Sequence, residues 1–527
     1  MKPTDDLVNP LLTDFYQLTM AYAYWKSGRH QTPAVFDLFF RKNPFGGEFV
    51  VFAGLEEVLR YLSDFRFTDE QIAYLMKVMP GCEGGFYDWL RRVDCSQITV
   101  HAVAEGTIVF PRVPLIIVEG PLAVAQLLET TLLTLVNYPS LVATNAARFR
   151  IAAGRGKKLL EFGLRRAQGP DGGVSASRYC YLGGFDATSN VQAGRLFNIP
   201  VAGTQAHAFV SSFISLDDLK DTTIFDPEGR RREFVDSVLE FRHALKYRET
   251  NEGELASFIA YAQAFPSGFL ALVDTYDTLK SGVPNFLAVA LALSGLGYRP
   301  TGIRLDSGDL AFLSVEARRM FRQVSQRYGV DFDGLTIAAS NDINEATLLS
   351  LSQQGHEIDV FGIGTHLVTC QAQPALGCVY KLVEIDGRPR IKLSQDRDKM
   401  TIPGRKEAYR LFGIAGQPVV DLLIQKGEEQ PQPGRRVLCR HPFDEAKRAY
   451  VTPTRVLPLH KRVWDGRPVA VPSLAQSRQY VLDQLASMRQ DHLRSLNPSP
   501  YKVSVSEKLY GFVHGLWMSE APISEIE

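Results

Sequence analysis

The sequence predicts an α/β fold built on a parallel sheet, and three observations predict it. Short apolar runs recur at a spacing of about thirty residues through the middle of the chain. Each run gives way to polar or glycine residues and then to a helical pattern. The polar residues collect just past the carboxyl ends of the strands, where a barrel carries its site. Spacing alone does not show closure, and an open doubly wound sheet has the same rhythm.

The elements follow in order. Residues 11–25, LLTDFYQLTMAYAYW, place Leu12, Phe15, Tyr16, Thr19 and Ala23 at helical spacing, with Thr13 or Asp14 near the cap. Residues 34–40, AVFDLFF, read as a buried strand. With 98–103, 115–118, 378–384 and 389–393 they predict a smaller β-rich region. Residues 122–136, 138–153 and 156–166 read as helices. FLALV at 269–273 ends at Asp274, TGIRL at 301–305 ends at Asp306, and LTIAA at 335–339 ends at Ser340. IDVF at 358–361 runs into the glycine turn GIGT. The intervening helical patterns are 285–296, 309–328 and 343–354. Residues 216–232 and 425–434 are polar without clear periodicity and read as loosely held. Helical patterns at 474–489 and 505–517 occupy the C-terminal region.

Composition narrows the function. The chain has 527 residues, with 58 Lys+Arg balancing 58 Asp+Glu. Zero net charge argues against a nucleic-acid binder working through a large basic surface. The N-terminus, MKPTDDLVNPLLTDFYQ, has no apolar core behind a basic start, and no apolar stretch is long enough for a membrane span. Six cysteines, none at CxxC spacing, predict reduced structural thiols in a cytoplasmic protein. Cys370, with His366 as its only near neighbour, does not complete a zinc set.

Several constellations suit anions. The GIGT turn at 362–365 exposes backbone N–H groups after a strand, which fits a phosphate or simply a tight turn. It lacks the Lys of a Walker loop. Arg304 interrupts an apolar strand, and a buried Arg needs an anionic partner. That partner is either Asp306, in a structural ion pair, or an anionic substrate gripped bidentately. Asp306 and Asp309 suit a hydrated Mg²⁺ or a helix cap equally, and so does Asp274 in VDTYD. Arg165 and Arg166 precede a glycine-rich loop and read either as a solvated face or as a phosphate site. Thr204 and His207 follow a strand-like segment, and the histidine reads as structural or catalytic. A substrate with two phosphorylated ends matches this mixture.

The motifs themselves are long and ordered. LLTDFYQLTMAYAYW is followed by FFRKNPFGGEFVVFAGL at 39–55, SLVATNAARFR at 140–150 and LRRAQGPDGG at 164–173. YLGGFDATSN at 181–190, PVAGTQAHAFV at 200–210, GVPNFLAVALAL at 282–293, GIRLDSGDL at 302–310 and FGIGTHLVTC at 361–370 complete the series. On these segments, from about residue 11 to about 410, the chain resembles the nicotinate phosphoribosyltransferases. The resemblance implies an irregular α/β barrel of the type II phosphoribosyltransferases, joined to a β-rich domain. The domain boundaries it leads us to expect are 1–25 with 130–375 for the barrel and 26–129 with 376–465 for the β-rich part. A C-terminal helical extension would follow at 466–527.

The resemblance also implies a reaction and its residues. Nicotinate and 5-phosphoribosyl 1-diphosphate would give nicotinate mononucleotide and pyrophosphate, with ATP as co-substrate and Mg²⁺ (or Mn²⁺) as cofactor. The enzyme would be a homodimer with its site at the subunit interface. The pyridine ring would lie between Phe162 and Tyr16, the latter from the other subunit. Arg304 would face the carboxylate, with Thr204 beside it. Arg165 and His207 would reach the phosphates. Gly364 and Thr365 would hold the 5′-phosphate, with Ser340 and Asn341 nearby. Asp274 and Asp306 would orient ribose hydroxyls or Mg²⁺-pyrophosphate. In this family ATP phosphorylates the residue matching His207. Relatives that use nicotinamide carry an Asp in the segment matching 188–190, where this chain has Ser189, so nicotinic acid is the expected substrate. The alternatives are a nicotinamide phosphoribosyltransferase and a catalytically silent scaffold on the same fold.

Overall fold

The computed structural model describes residues 7–247, 249–393 and 400–520, in two compact units. The first comprises Met1–Ala147, Leu182–Gly184 and Cys370–Glu527, and the second Arg148–Tyr181 and Phe185–Thr369. Residues 1–25 and 130–147, drawn from sequence with the barrel, count in the first unit, as does the C-terminal segment from 466.

The first unit is built on two six-stranded sheets. One is antiparallel throughout, in the order 388–389, 378–385, 33–40, 116–121, 99–102, 461–465. The strand Pro33–Phe40 is buried on both faces along nearly its whole length, as its continuous apolar run requires. The predicted strand at 389–393 is paired only over Arg388–Pro389. The second sheet runs 448–451, 437–440, 503–505, 418–425, 406–412, 455–458. Tyr409, Leu411, Val420, Leu422, Ile424 and Cys439 form its apolar core. The helix Phe15–Lys26 falls where periodicity placed it, whereas the helices expected at 122–136 and 138–153 are Leu122–Leu127 and Glu129–Ala153, the second running through Pro139 without a break.

The second unit carries the parallel sheet. Its strands are β1 (Lys158–Glu161), β2 (Ala187–Thr188), β3 (Leu270–Leu272), β4 (Gly302–Leu305), β5 (Thr336–Ala339) and β6 (Val360–Ile363). Their spatial order is β3-β4-β5-β6-β1-β2, every pair parallel, and a bridge from Thr188 to Val201 extends the β2 edge. The arrangement is an α/β half-barrel, with β3 and the 201 edge left as its ends among the described residues. Helices Val283–Gly295, Leu310–Tyr328 and Glu345–Gln354 follow β3, β4 and β5 as the βα rhythm predicts. The first is buried on all sides, and the last two are capped by Asp309 and Asn344. Asp309 is therefore engaged as a helix cap.

Two expectations are corrected. Residues 156–166 form not a helix but β1 and a short 3₁₀ turn, Leu164–Arg166. Gly154, at φ +79°, ends the preceding helix, and Leu159 and Glu161 then alternate into the interior of a sheet. Residues 216–232 are also more ordered than their polarity implied. Thr223–Phe225 pairs with Arg231–Glu233, and the buried Asp226 carboxylate accepts from the N–H groups of Glu228 and Arg230 in the turn. A side chain satisfies the backbone there where no apolar run could.

Ion pairs deep in the first unit hold its two sheets. Arg410 donates two hydrogen bonds of 2.8 Å to Asp421, with both groups buried, and the Tyr501 hydroxyl donates to the same carboxylate at 3.0 Å. Lys406 and Asp37 form a second buried pair at 2.7 Å. Removing one partner of such a pair strands an uncompensated charge. Arg410→Met should lower unfolding stability by about 3–5 kcal/mol in denaturant titration. Adding Asp421→Leu to it should recover most of that loss.

Candidate active site

All six strands of the half-barrel point the same way, so the loops after them meet at one rim. Asp274 and Thr275 follow β3, Asp306 and Ser307 follow β4, Ser340 and Asn341 follow β5, and Gly364 and Thr365 follow β6. Phe162 to Arg165 follow β1. Thr204 and His207 follow the bridge at Val201.

Direct hydrogen bonds tie the loops together. The Asp306 N–H donates to Asp274 Oδ2 at 3.0 Å, and the Ser307 hydroxyl donates to the same oxygen at 2.5 Å. The Ser340 hydroxyl donates to Asp306 Oδ1 at 2.7 Å. His207 Nε2 lies 3.5 Å from Asp306 Oδ2, and its Nδ1 is 3.1 Å from the Thr275 hydroxyl. Arg304 Nη1 donates to Thr204 Oγ1 at 3.0 Å. Six of the predicted residues, Thr204, His207, Asp274, Arg304, Asp306 and Ser340, are thus bonded into this rim.

Arg304 resolves an alternative that its sequence left open. Its neighbours Ile303 and Leu305 are fully buried on the opposite face of β4, which turns the guanidinium to the rim side. It makes no ion pair with Asp306 or any other carboxylate among the described residues. Its Nε is buried without a hydrogen-bond partner. Burial pushes the guanidinium below its ordinary pKa, while the fields of Asp306 and Asp274 push the other way. The same guanidinium feels the charge of Arg165, which places that exposed side chain within electrostatic reach. A half-buried cation with an unused donor requires an anionic acceptor.

Phe162 is fixed by a close approach. A Cβ on Gly362 would sit 2.5 Å from the Phe162 ring and 3.2 Å from the Ser340 Cβ, so only glycine lets the ring lie there. The Phe162 N–H donates to the Ile363 carbonyl at 2.8 Å. Gly364 and Thr365 open a short helix, Thr365–Val368, and Asn341 is exposed on the neighbouring loop. Tyr16 lies on the helix Phe15–Lys26 of the first unit, 48% exposed.

Sequence reasoning missed the group that shapes the Phe162 turn. Glu161 is buried, and its carboxylate accepts from the Gly163 N–H, from Ser177 Oγ at 2.7 Å and from Thr188 Oγ1 at 2.5 Å. An acidic residue inside an apolar run was the available signal, the counterpart of Arg304 in β4. Thr275 and Ser307 were missed as well, since hydroxyl residues in loops carry no distinctive pattern.

Among the described residues no three His, Cys, Asp or Glu side chains converge as a metal site. Asp274 Oδ1 is nevertheless buried without a hydrogen-bond partner. A hard cation that keeps most of its water and takes one or two carboxylates suits such a donor set. Behind this loop lies Glu254, fully buried, which accepts from Ser281 Oγ at 2.5 Å and Asn285 Nδ2 at 3.0 Å. Burial, with smaller contributions from Asp274 and Asp277, raises its pKa to about 7.

Comparison with known proteins gives consistent results. Residues 11–137 match the model for the nicotinate phosphoribosyltransferase N-terminal domain, and residues 405–513 match that for its C-terminal domain. The chain is 57% identical to nicotinate phosphoribosyltransferase 1 of Arabidopsis thaliana, covering 99% of this chain and 96% of that one. It is 46% identical to the nicotinate phosphoribosyltransferase of Homo sapiens, covering 97% of each. The crystal structure of human nicotinic acid phosphoribosyltransferase superposes with a TM-score of 0.86 at 45% identity, over 96% of this chain and 99% of that one.

Glu254 gives a prediction with a defined sign. Its folded pKa is raised above the ordinary 4.5, so its stabilising contribution is present in full below about pH 4.5 and is gone above about 7. Glu254→Gln should flatten this part of the stability–pH curve, measured by urea unfolding from pH 5 to 8. An unchanged slope in the variant would contradict the assignment.

Proposed function

The chain belongs to the nicotinate phosphoribosyltransferase family, and we propose how its strand-end rim carries that family's transfer. Nicotinate and 5-phosphoribosyl 1-diphosphate become nicotinate mononucleotide and pyrophosphate, coupled to hydrolysis of ATP to ADP and phosphate. This is the first step of NAD synthesis from nicotinate. The observation that carries the reading is Arg304, a half-buried guanidinium with an unused donor and no carboxylate partner. The nicotinate carboxylate supplies the missing acceptor as a charge-assisted bond, with Thr204 holding the guanidinium in place.

The remaining roles follow from the rim. The Phe162 ring offers one stacking face to the pyridine, and Tyr16 of a second subunit offers the other, in a cytosolic homodimer. Stacking leaves the ring nitrogen free to attack C1 of the ribose as the bond to pyrophosphate breaks. Arg165 and His207 meet the pyrophosphate. Gly364 and Thr365 present backbone N–H groups to the 5′-phosphate, with Ser340 and Asn341 beside them. The carboxylates of Asp274 and Asp306 orient the ribose hydroxyls and lie against the positive charge that develops on the ring. Much of the rate then comes from holding both substrates in line.

Asp274, through its unpartnered Oδ1, and Asp306 are the residues that would hold Mg²⁺ or Mn²⁺. When bound, such an ion neutralises the pyrophosphate oxygens as they leave. His207 is the acceptor for the γ-phosphoryl of ATP. Thr275 engages Nδ1, which leaves Nε2, facing Asp306, to form the N–P bond as ADP departs. Water later cleaves that bond to release phosphate. The phosphoryl group adds roughly −1.5 to −2 charges at the rim, by analogy with other phosphorylated side chains.

Three experiments test this. With labelled nicotinate and 5-phosphoribosyl 1-diphosphate, His207→Ala should abolish ATP stimulation more completely than it lowers basal transfer. Full stimulation in that variant would remove His207 from the coupling. Arg304→Ala should lower kcat/KM for nicotinate on the order of 10²-fold, as expected for loss of a desolvated charged hydrogen bond. Wild type should prefer nicotinate strongly over nicotinamide, because Ser189 offers no carboxylate to an amide N–H. Comparable kcat/KM for acid and amide would overturn the assignment of Arg304.

A further inference from the structure

The first unit contains a cavity of about 860 Å³ that the transfer reaction does not use. All of its lining belongs to that unit. Its floor is one face of the second sheet. Cys439 pairs directly with Ala449, and the register of the strands 418–425, 437–440 and 503–505 puts Val420 and Ser504 on the same face. Its rim is cationic: Arg41, Lys42, Arg112, Lys447, Arg448 and Lys502 line it, against one carboxylate, Glu48. Glu48 is already committed, since it accepts the Tyr501 N–H at 3.2 Å.

Three of the six rim cations have no internal ion pair among the described residues. They are Arg41, Arg448 and Lys502, whereas Lys447 is paired with Asp444 at 3.0 Å. Burial, with the fields of Arg112 and Lys447, depresses the pKa of His441 in the cavity wall. Arg112 adopts φ +71°, a left-handed conformation costly for an arginine, while its N–H donates to the Phe40 carbonyl at 2.9 Å. Strain of this kind persists where surrounding structure holds a side chain in a required position. In a chain of zero net charge, six cations around one cavity are a local concentration, not a reflection of composition.

We propose that this cavity is a second binding site, for a nucleoside polyphosphate, with the phosphates on the cationic rim and the base on the apolar floor. The volume lies in the range of small-molecule sites, and an apolar floor under a charged rim matches a ligand with a flat uncharged end and a polyanionic one. Its lining shares no residue with the strand-end rim.

The probe is the non-hydrolysable β,γ-imido analogue of ATP, measured by equilibrium dialysis on the full chain at reaction equilibrium, with substrates and products both saturating so that the strand-end rim stays occupied. Lys502→Glu reverses one rim charge, and Ala449→Trp fills the floor. Each should weaken one mole of bound analogue per chain at least tenfold while leaving kcat for basal transfer within twofold. Inorganic tripolyphosphate should bind at least tenfold more weakly than the analogue. Binding of the analogue unchanged in both variants would overturn the site. Equal affinity for tripolyphosphate would overturn the nucleoside assignment. Either result would leave the reading of His207 and Arg304 untouched.

Discussion

The chemistry at the rim depends on one unneutralised charge. Arg304 sits in a parallel strand whose other face is packed solid by Ile303 and Leu305, so its guanidinium cannot turn away. The carboxylates nearest to it bond to other groups and not to the guanidinium. Asp274 receives the Asp306 N–H and the Ser307 hydroxyl, and Asp306 receives Ser340 and faces His207. The result is a cation that is held, partly desolvated and short of an acceptor. Had Asp306 closed on Arg304, the pair would have been inert, and a carboxylate ligand would have had to break it. The geometry instead keeps the two charges apart by giving each acid its own donors.

Close backbone approaches shape the aromatic side of the half-barrel. Gly362 admits the Phe162 ring beside Ser340, and Glu161 folds the chain back through the Gly163 N–H so that the ring stays there. Glu161 also receives hydroxyls from Ser177 and Thr188, which ties β1 to β2 and to the helix Gly169–Leu182. A buried acid that accepts from neutral donors on several elements acts as a local hub. The aromatic face and the guanidinium therefore stand on separate strands with different supports, one held by a buried carboxylate and one by apolar packing.

Much of this was legible because strands buried on both faces tolerate polar residues only with a reason. Arg304 stood out in GIRL for that reason, and Asp274, Asp306 and Ser340 stood out as the polar ends of apolar runs. The same logic applied to KLLEF would have found β1 and Glu161. A helical reading prevailed there because LLEFGLRR also fits a 3.6 period, and periodicity cannot separate a short buried strand from a helix. The hairpin at 223–233 was hidden because its order comes from Asp226 binding backbone N–H groups, which leaves no apolar pattern. The resemblance to known transferases carried the roles of Arg165, Tyr16 and Asn341, since exposed side chains on loops carry no local signature of what they bind.

Net charge gives the balance of the two signs and not their arrangement. A balance of 58 cations and 58 acids reads as an unremarkable surface, yet the two signs are not evenly mixed. The rim of the half-barrel interleaves Asp274 and Asp306 with His207 and Arg304, the pattern needed where positive charge develops on one atom and negative charge leaves on another. The cavity of the first unit has almost no such interleaving, with six cations to one committed acid. Mixed signs serve a reaction, because each charge that moves needs a counterpart. A single sign serves binding alone, because a polyanion that does not react needs only to be met. The contrast between these linings, rather than the total charge, sets the proposed transfer site apart from the proposed second binding site.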